Sequence, residues 1–219
     1  MPALAFPSLV ILYLSYKGTD NPMRYDAEHK ERTRQRVLKV AAQAIRTEGP
    51  YRIGVAGVMA DAGLTHGGFY AHFASKDDLV AAAIDEMFRQ GAKRFDRETG
   101  GYSGAAALSR YVDFYLSSEH RDSNGLGCPL PYLSADAPRL SDRSREAFAA
   151  GVQGLAGRLA SLLAAMERPD PQVEASSVLA ELVGALALAR ADPDQARSDA
   201  ILARSRASLK SRFGLGPAS

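Results

Sequence analysis

The residues best placed to do chemistry in this chain of 219 residues lie between Val55 and Lys76. Their types suit hydrogen bonding rather than catalysis. At helical spacing, Phe69 and Phe73 fall four apart and form an inward face. His66, Gly67, Tyr70 and His72 are left outward, and each can donate a hydrogen bond through its side chain or backbone. Lys76 follows at the start of the next element, where its ammonium either reaches a phosphate or is simply solvated. Donors beside a cation match phosphate oxygens and base edges, with Thr65, His66 and Tyr70 as the expected base-reading side chains.

Other chemistries find less support. The four histidines (His29, His66, His72, His120) lack metal-ligand spacing, and the lone Cys128 excludes an intramolecular disulfide and a multi-cysteine zinc site. Paired carboxylates, a phosphate-cradling loop and a nucleophile elbow are all missing from the sequence, so neither a cofactor nor enzymatic activity is expected. An enzyme site assembled only in space stays open as a rival, as does an all-α interaction module without DNA binding.

Positioning the donor face requires two short helices and a tight turn. Val55, Val58, Met59 and Ala62 follow the i, i+3, i+4, i+7 pattern of a first helix, and a second is predicted from about His66 to Phe73. Gly63 suits the left-handed residue that ends the first helix. Thr65 suits the N-cap of the second, and Leu64 and Phe69 are spaced for a hydrophobic staple. This is helix-turn-helix spacing. Gly67-Gly68 conflicts with it, because each glycine inside a helix costs about 1 kcal/mol relative to alanine. Either the segment is a loop or frayed end, or the bare backbone lets phosphate or bases come close. Ser75-Lys76-Asp77-Asp78 reads as a capping box for a longer helix, on which Leu79, Ala83, Met87, Gly91 and Phe95 fall four apart.

The rest of the chain is also helical by pattern. Val37, Val40, Ala41, Ala44 and Ile45 form one face of a helix ended by Gly49-Pro50. Beyond a glycine-rich linker at 100–104, periodicity resumes over 105–116, pauses in a glycine-proline stretch (124–131), and returns from Phe148 to Met166. Pro169 and Pro171 break the chain before an almost wholly apolar helix, Val173–Arg190, and a last helix at about 194–213. Strand signals are poor throughout. The fold class is therefore all-α: a three-helix helix-turn-helix unit over 23–80, then a helical bundle over 81–219.

Charge is uneven. The chain carries only +2 overall, yet Arg24–Arg52 holds eight Lys/Arg against four Asp/Glu. That local excess suits a DNA backbone. Residues 1–22 form either a loosely ordered extension or an upstream start ahead of Met23. Their apolar run, Phe6–Tyr16, is short of the roughly 20 residues of a membrane span. No basic residue precedes it, as a signal peptide requires.

The run ADAGLTHGGFYAHFASKDDL (Ala60–Leu79) resembles the DNA-binding domain of TetR-family transcriptional regulators. It follows that family's pattern A-G-(V/L)-(S/T)-x-G-x-(L/F)-Y-x-(H/Y)-F-x-(S/N)-K-(E/D)-x-L at nearly every position. TRQRVLKVAAQAIRTEG (Thr33–Gly49) resembles the family's first helix. The likeness is strong over 28–80; Gly57 and Gly68 depart from it. It implies a cytoplasmic homodimer on a palindromic double-stranded DNA operator, acting as a repressor until a small-molecule effector binds the C-terminal bundle. Thr33, Thr65, His66, Gly67, Gly68, Tyr70, His72 and Lys76 would then contact DNA. The last two helices would form the dimer interface; full burial within one subunit is the other reading of Val173–Arg190, and the two can hold on different faces. A membrane partner is not implied.

Candidate residues for the effector cavity are Tyr111, Phe114, Tyr115, Cys128, Tyr132, Phe148 and Val152, each of which helical spacing would also bury as ordinary core. Cys128 sits in a glycine-proline loop, near a possible helix N-terminus that would lower its pKa. It is read either as inert packing or as the thiol of an electrophile- or redox-sensing repressor.

Overall fold

The computed structural model describes residues 22–123 and 125–216, and residues 1–22, read above as an extension or upstream start, fall outside them apart from Pro22. Among the described residues there are helices and no strands. α1 (Pro22–Glu48) and α2 (Val55–Asp61) lead into a short 3-10 helix, His66–Ala71, and then α3 (Lys76–Thr99). α4 (Gly104–Tyr115), α5 (Ser118–Asp122) and α6 (Leu130–Leu133) follow, then the long α7 (Asp142–Ala164), α8 (Pro171–Ala191) and α9 (Gln195–Phe213).

Two apolar cores organise these elements. The first joins Val37, Ala41 and Ile45 of α1 to Val58 and Met59 of α2, to Phe69 and Phe73, and to Leu79, Ala83 and Met87 of α3. The second collects Phe95 of α3, Leu108 and Tyr115 of α4, Leu159 and Leu163 of α7, Leu182 and Leu186 of α8, and Leu209 of α9. α3 runs unbroken past residue 80, with its first half in one core and its end in the other. Leu133, Ala137 and Leu140 reach back from the second half of the chain into the first core, so the two units interlock.

Three local expectations need correction. The second short helix is 3-10 over His66–Ala71, not α-helical to Phe73. Two successive glycines weaken a helix of this length, and 3-10 winding is the usual form of such short pieces. Thr65 does occupy the cap position in extended geometry, but its hydroxyl makes no capping hydrogen bond. Val173–Arg190 is not enclosed all round: Val173 is 71% and Leu188 63% exposed, because α8 turns only one side to the core. The short helices α5 and α6 flank the glycine-proline stretch, where no apolar period marks them.

By length and composition α7 and α8 could each cross a membrane. Both nevertheless pack into the bundle, α7 against α3 and α8, and α8 against α9.

Candidate nucleic-acid interface and ligand cavity

The first site begins with the end of α2. Gly63 takes φ +69°, the left-handed conformation. Its N–H donates to the Ala60 carbonyl (2.8 Å), and that of Leu64 donates to Met59 (2.9 Å). This Schellman pairing satisfies the last carbonyls and reverses the chain sharply. Phe69 then inserts into the first core and stacks on Phe73, with ring centroids 5.6 Å apart. Anchoring Phe69 forces its neighbours outward. Tyr70 is 73% exposed, and Thr65, His66 and Gly67 are exposed with it.

Packing within the chain does not explain the two glycines. A Cβ on Gly67 would meet nothing within 4 Å, and one on Gly68 would make only ordinary contacts, at 3.7 Å to Met59 and 3.8 Å to Thr65. Neither has a positive φ. Neither the space around them nor their backbone conformation requires a glycine at these positions.

The next turn fixes the edge of this face. Ser75 Oγ accepts from the Asp78 N–H (3.1 Å), while Asp78 Oδ2 accepts from the Ala74 N–H (2.9 Å), so the capping box forms with its return bond one residue early. Lys76 Nζ donates to the Tyr51 carbonyl (3.2 Å), which ties the α1–α2 loop to the start of α3. His72 is half-buried with Nδ1 unpartnered; burial, and then the charges of Lys30 and Arg34, push its pKa down. Arg34 lies over the Phe73 ring at 4.9 Å. Thr33 is 9% exposed on α1, which leaves its hydroxyl little surface to offer a phosphate.

The second site is a cavity of about 670 Å³ between α3, α4, α7 and the loop after α5. Tyr111, Phe114, Tyr115 and Cys128 line it. Tyr132, Phe148 and Val152 do not: Tyr132 faces a smaller polar cleft beneath Arg190, and Phe148 packs on Phe88. The wall also holds residues that carry no apolar signal in the sequence, among them Arg89, Lys93, Arg94, Arg97 and Arg158. Glycines open it. A Cβ on Gly91 or Gly154 would meet nothing within 4 Å, whereas one on Gly151 would lie 2.1 Å from the Phe88 ring.

Cys128 is held in a polar knot. Its N–H donates to His120 Nε2 (3.2 Å), and His120 Nδ1 lies 2.8 Å from the Tyr115 carbonyl. Burial pushes the Cys128 thiol above its ordinary range, against the smaller opposing pull of Tyr115, Arg190 and Arg46. The expected lowering by a helix N-terminus is overturned, because the sulfur is desolvated and α6, which begins at Leu130, is a helix of one turn. A thiol sensor gains no support from this geometry. Among the described residues, no three His, Cys, Asp or Glu side chains are grouped to hold a metal.

A buried cation joins the two sites. Arg46 of α1 donates from Nε to the Gly127 carbonyl (2.9 Å), from Nη1 to that of Gly125 (3.2 Å), and from Nη2 to Gln90 Oε1 (3.1 Å). Burial lowers its pKa to about 10. Gln90 and Gly127 both line the cavity. At the far end of α3, Arg143 of α7 pairs with Asp78 (2.7 Å), the residue that closes the cap beside the exposed face.

Residues 37–83 match the family described as bacterial regulatory proteins, tetR family. An uncharacterised HTH-type transcriptional regulator of Bacillus subtilis, YfiR, is 24% identical over 86 residues, which span 39% of this chain and 42% of that relative. Solved structures match at greater length. The reduced form of Escherichia coli NemR superposes with a TM-score of 0.72 at 21% identity, covering 84% of this chain and 99% of NemR. A TetR transcriptional regulator from Chloroflexus aurantiacus gives 0.73 at 23% identity, covering 85% and 96%. These structural likenesses concern the fold.

Proposed function

Because residues 37–83 match the tetR family of bacterial regulatory proteins, we propose that this chain is a transcriptional repressor of that family. In this reading it binds a palindromic operator as a homodimer in the cytoplasm and is released when a small molecule enters the cavity. The observation that carries the reading is the exposed edge Thr65–Tyr70, held rigidly by the buried Phe69 and Phe73. His66 and Tyr70 offer donors to the major groove, Gly67 and Gly68 let the backbone approach, and His72 and Lys76 flank them toward phosphate.

Dimerisation falls to α8 and α9. Val173, Ser177, Ala180, Leu188 and Ala191 are exposed along α8, and Ala196, Ala203 and Ala207 along α9, at spacings that keep each set on one helical face. Small and apolar side chains of this kind let helices of a second copy pack closely. A two-fold dimer presents two recognition edges to two half-sites.

Release works through the elements that the two sites share. A ligand against Gly127 and Gln90 competes with the contacts that hold Arg46 and so shifts α1, and movement of α7 acts on Asp78 through Arg143. An effector changes operator affinity only as far as it binds one arrangement of these contacts better than the other.

Selection of bound sequences from a random DNA pool tests the reading. A palindromic consensus is expected. Lys76→Ala should then weaken binding to every sequence, whereas His66→Ala should change which sequence is preferred. Failure to enrich any sequence, with salt-independent binding, would refute it.

A further inference from the structure

We infer that the cavity takes a small molecule with a negatively charged head on an aromatic or otherwise apolar body, because cations of α3 and α7 rim an aromatic floor. This rests on the reading of the cavity as the effector site and adds the chemistry of the effector.

The floor is apolar: Tyr111, Phe114, Tyr115 and Leu155 contribute to it. The charged part of the wall is one-sided. Arg89, Lys93, Arg94, Arg97 and Arg158 face the cavity, and Glu119 is the carboxylate among its lining residues. Two of these cations have a carboxylate of their own nearby, Arg89 in Glu86 and Arg158 in Asp96. Arg94 and Arg97 share one, Glu98, at 3.7 and 3.4 Å. Lys93 has none within ion-pair distance among the described residues. The wall thus keeps positive charge after its internal pairs are formed.

The geometry of Arg94 is also suited to a ligand. Its guanidinium lies over the Phe114 ring at 5.0 Å, which fixes the plane of the fork at the edge of the floor. A fixed guanidinium is well matched to the paired oxygens of a carboxylate, sulfonate or phosphate. Low-dielectric walls concentrate the field of like charges in a cleft and attract a counter-ion. An uncharged ligand of the same shape would cover these cations without compensating them. The volume, about 670 Å³, matches a molecule of two or three fused or linked rings rather than a bare inorganic anion.

The test uses two fluorescent probes with nearly the same body, anilinonaphthalene sulfonate and the uncharged N-phenylnaphthylamine. The full-length protein should bind both saturably at low salt, the sulfonate about tenfold more tightly. The double variant Lys93→Gln/Arg94→Gln should lose most of that preference, while Arg145→Gln, which removes a cation outside the cavity lining, should keep it. Gly154→Leu should exclude both probes by filling the open wall, and Gly91→Leu is the second such variant should the first not fold. Equal affinity for the two probes would overturn the anionic preference and leave the cavity as a binding site. Absence of saturable binding, or binding indifferent to both filled cavities, would overturn the ligand site itself.

Discussion

Acidification should destabilise this protein through one buried imidazole. His120 is enclosed between Phe114, at 4.8 Å and stacked, and Tyr115, at 4.8 Å and edge-on. Both ring nitrogens are engaged in a way only the neutral ring allows: Nδ1–H donates to the Tyr115 carbonyl, and Nε2 accepts from the Cys128 N–H. Adding a proton at Nε2 would set two donors against each other. Burial, with the charges of Arg190 and Arg94, lowers the pKa from 6.5 to about 4, although the bond to Tyr115 pulls the other way. Between those values the unfolded chain binds a proton that the folded one refuses, so stability rises with pH across that window and is lost as pH falls through it. The full difference is about 3 kcal/mol, of which about 2.5 kcal/mol has been lost at pH 4.5. In a chain of this size that corresponds to a fall in Tm of about 5–10 °C. Unfolding of the native protein should be compared at pH 7 and 4.5 with that of His120→Asn, whose amide keeps a donor toward Tyr115 but does not titrate. The native protein should lose more stability than the variant by this amount. Parallel losses, or an imidazole resonance that titrates near 6.5, would refute the reasoning.

Two further outcomes follow from the same region. Arg46→Met should lower stability by about 2–4 kcal/mol, because the carbonyls of Gly125 and Gly127 lose a charged donor while the cost of burying the guanidinium is recovered. Thermal unfolding reads the loss, and the dependence of operator affinity on a cavity ligand should shrink in the same variant; no change in either would remove Arg46 as a link. Cys128, with its thiol pushed up by burial, should react with a maleimide at least about tenfold faster in denaturant than in the native protein, and equal rates would show that the sulfur is accessible.

What could be read from sequence was local. Gly63 and Ser75–Asp78 announce a helix end and a helix start because their hydrogen bonds close within five residues. The core stripe of α3 is equally legible, since Leu79, Ala83, Met87 and Phe95 are buried at the spacing that predicts it. The 3-10 winding of His66–Ala71 was not, because the difference between two windings of one turn rests on small energies and on how Phe69 docks. The cavity was half legible. Tyr111, Phe114 and Tyr115 declare themselves as aromatic, but pattern alone cannot separate a floor residue from ordinary core, and Phe148 and Tyr132 went elsewhere. Its cations carry no such signal. An arginine on the polar side of a helical wheel reads as solvated, and only the packing of α3 against α4 and α7 sets it at the rim of a cavity.

Arg46 shows why the count of charge in Arg24–Arg52 overstates what is available to DNA. On the helix it belongs with Ala42 and Ile45, facing the interior, and the two loop carbonyls it binds lie 79 and 81 residues away in the other unit. Arg34, half-buried, spends one face on Phe73. Lys30, Arg32, Arg36, Lys39 and Arg52 remain exposed. The same side-chain type therefore does three different things here, and what decides is which groups surround it. Where carbonyls converge on a buried guanidinium, as at Arg46, it holds units together. Where a ring supports it at the edge of a cavity, as at Arg94, it can meet an anionic ligand. Where water surrounds it, as at Arg36, its charge is free for a phosphate. A near-neutral total hides this partition, because an excess of acidic residues outside Arg24–Arg52 offsets charge that the N-terminal helix leaves exposed.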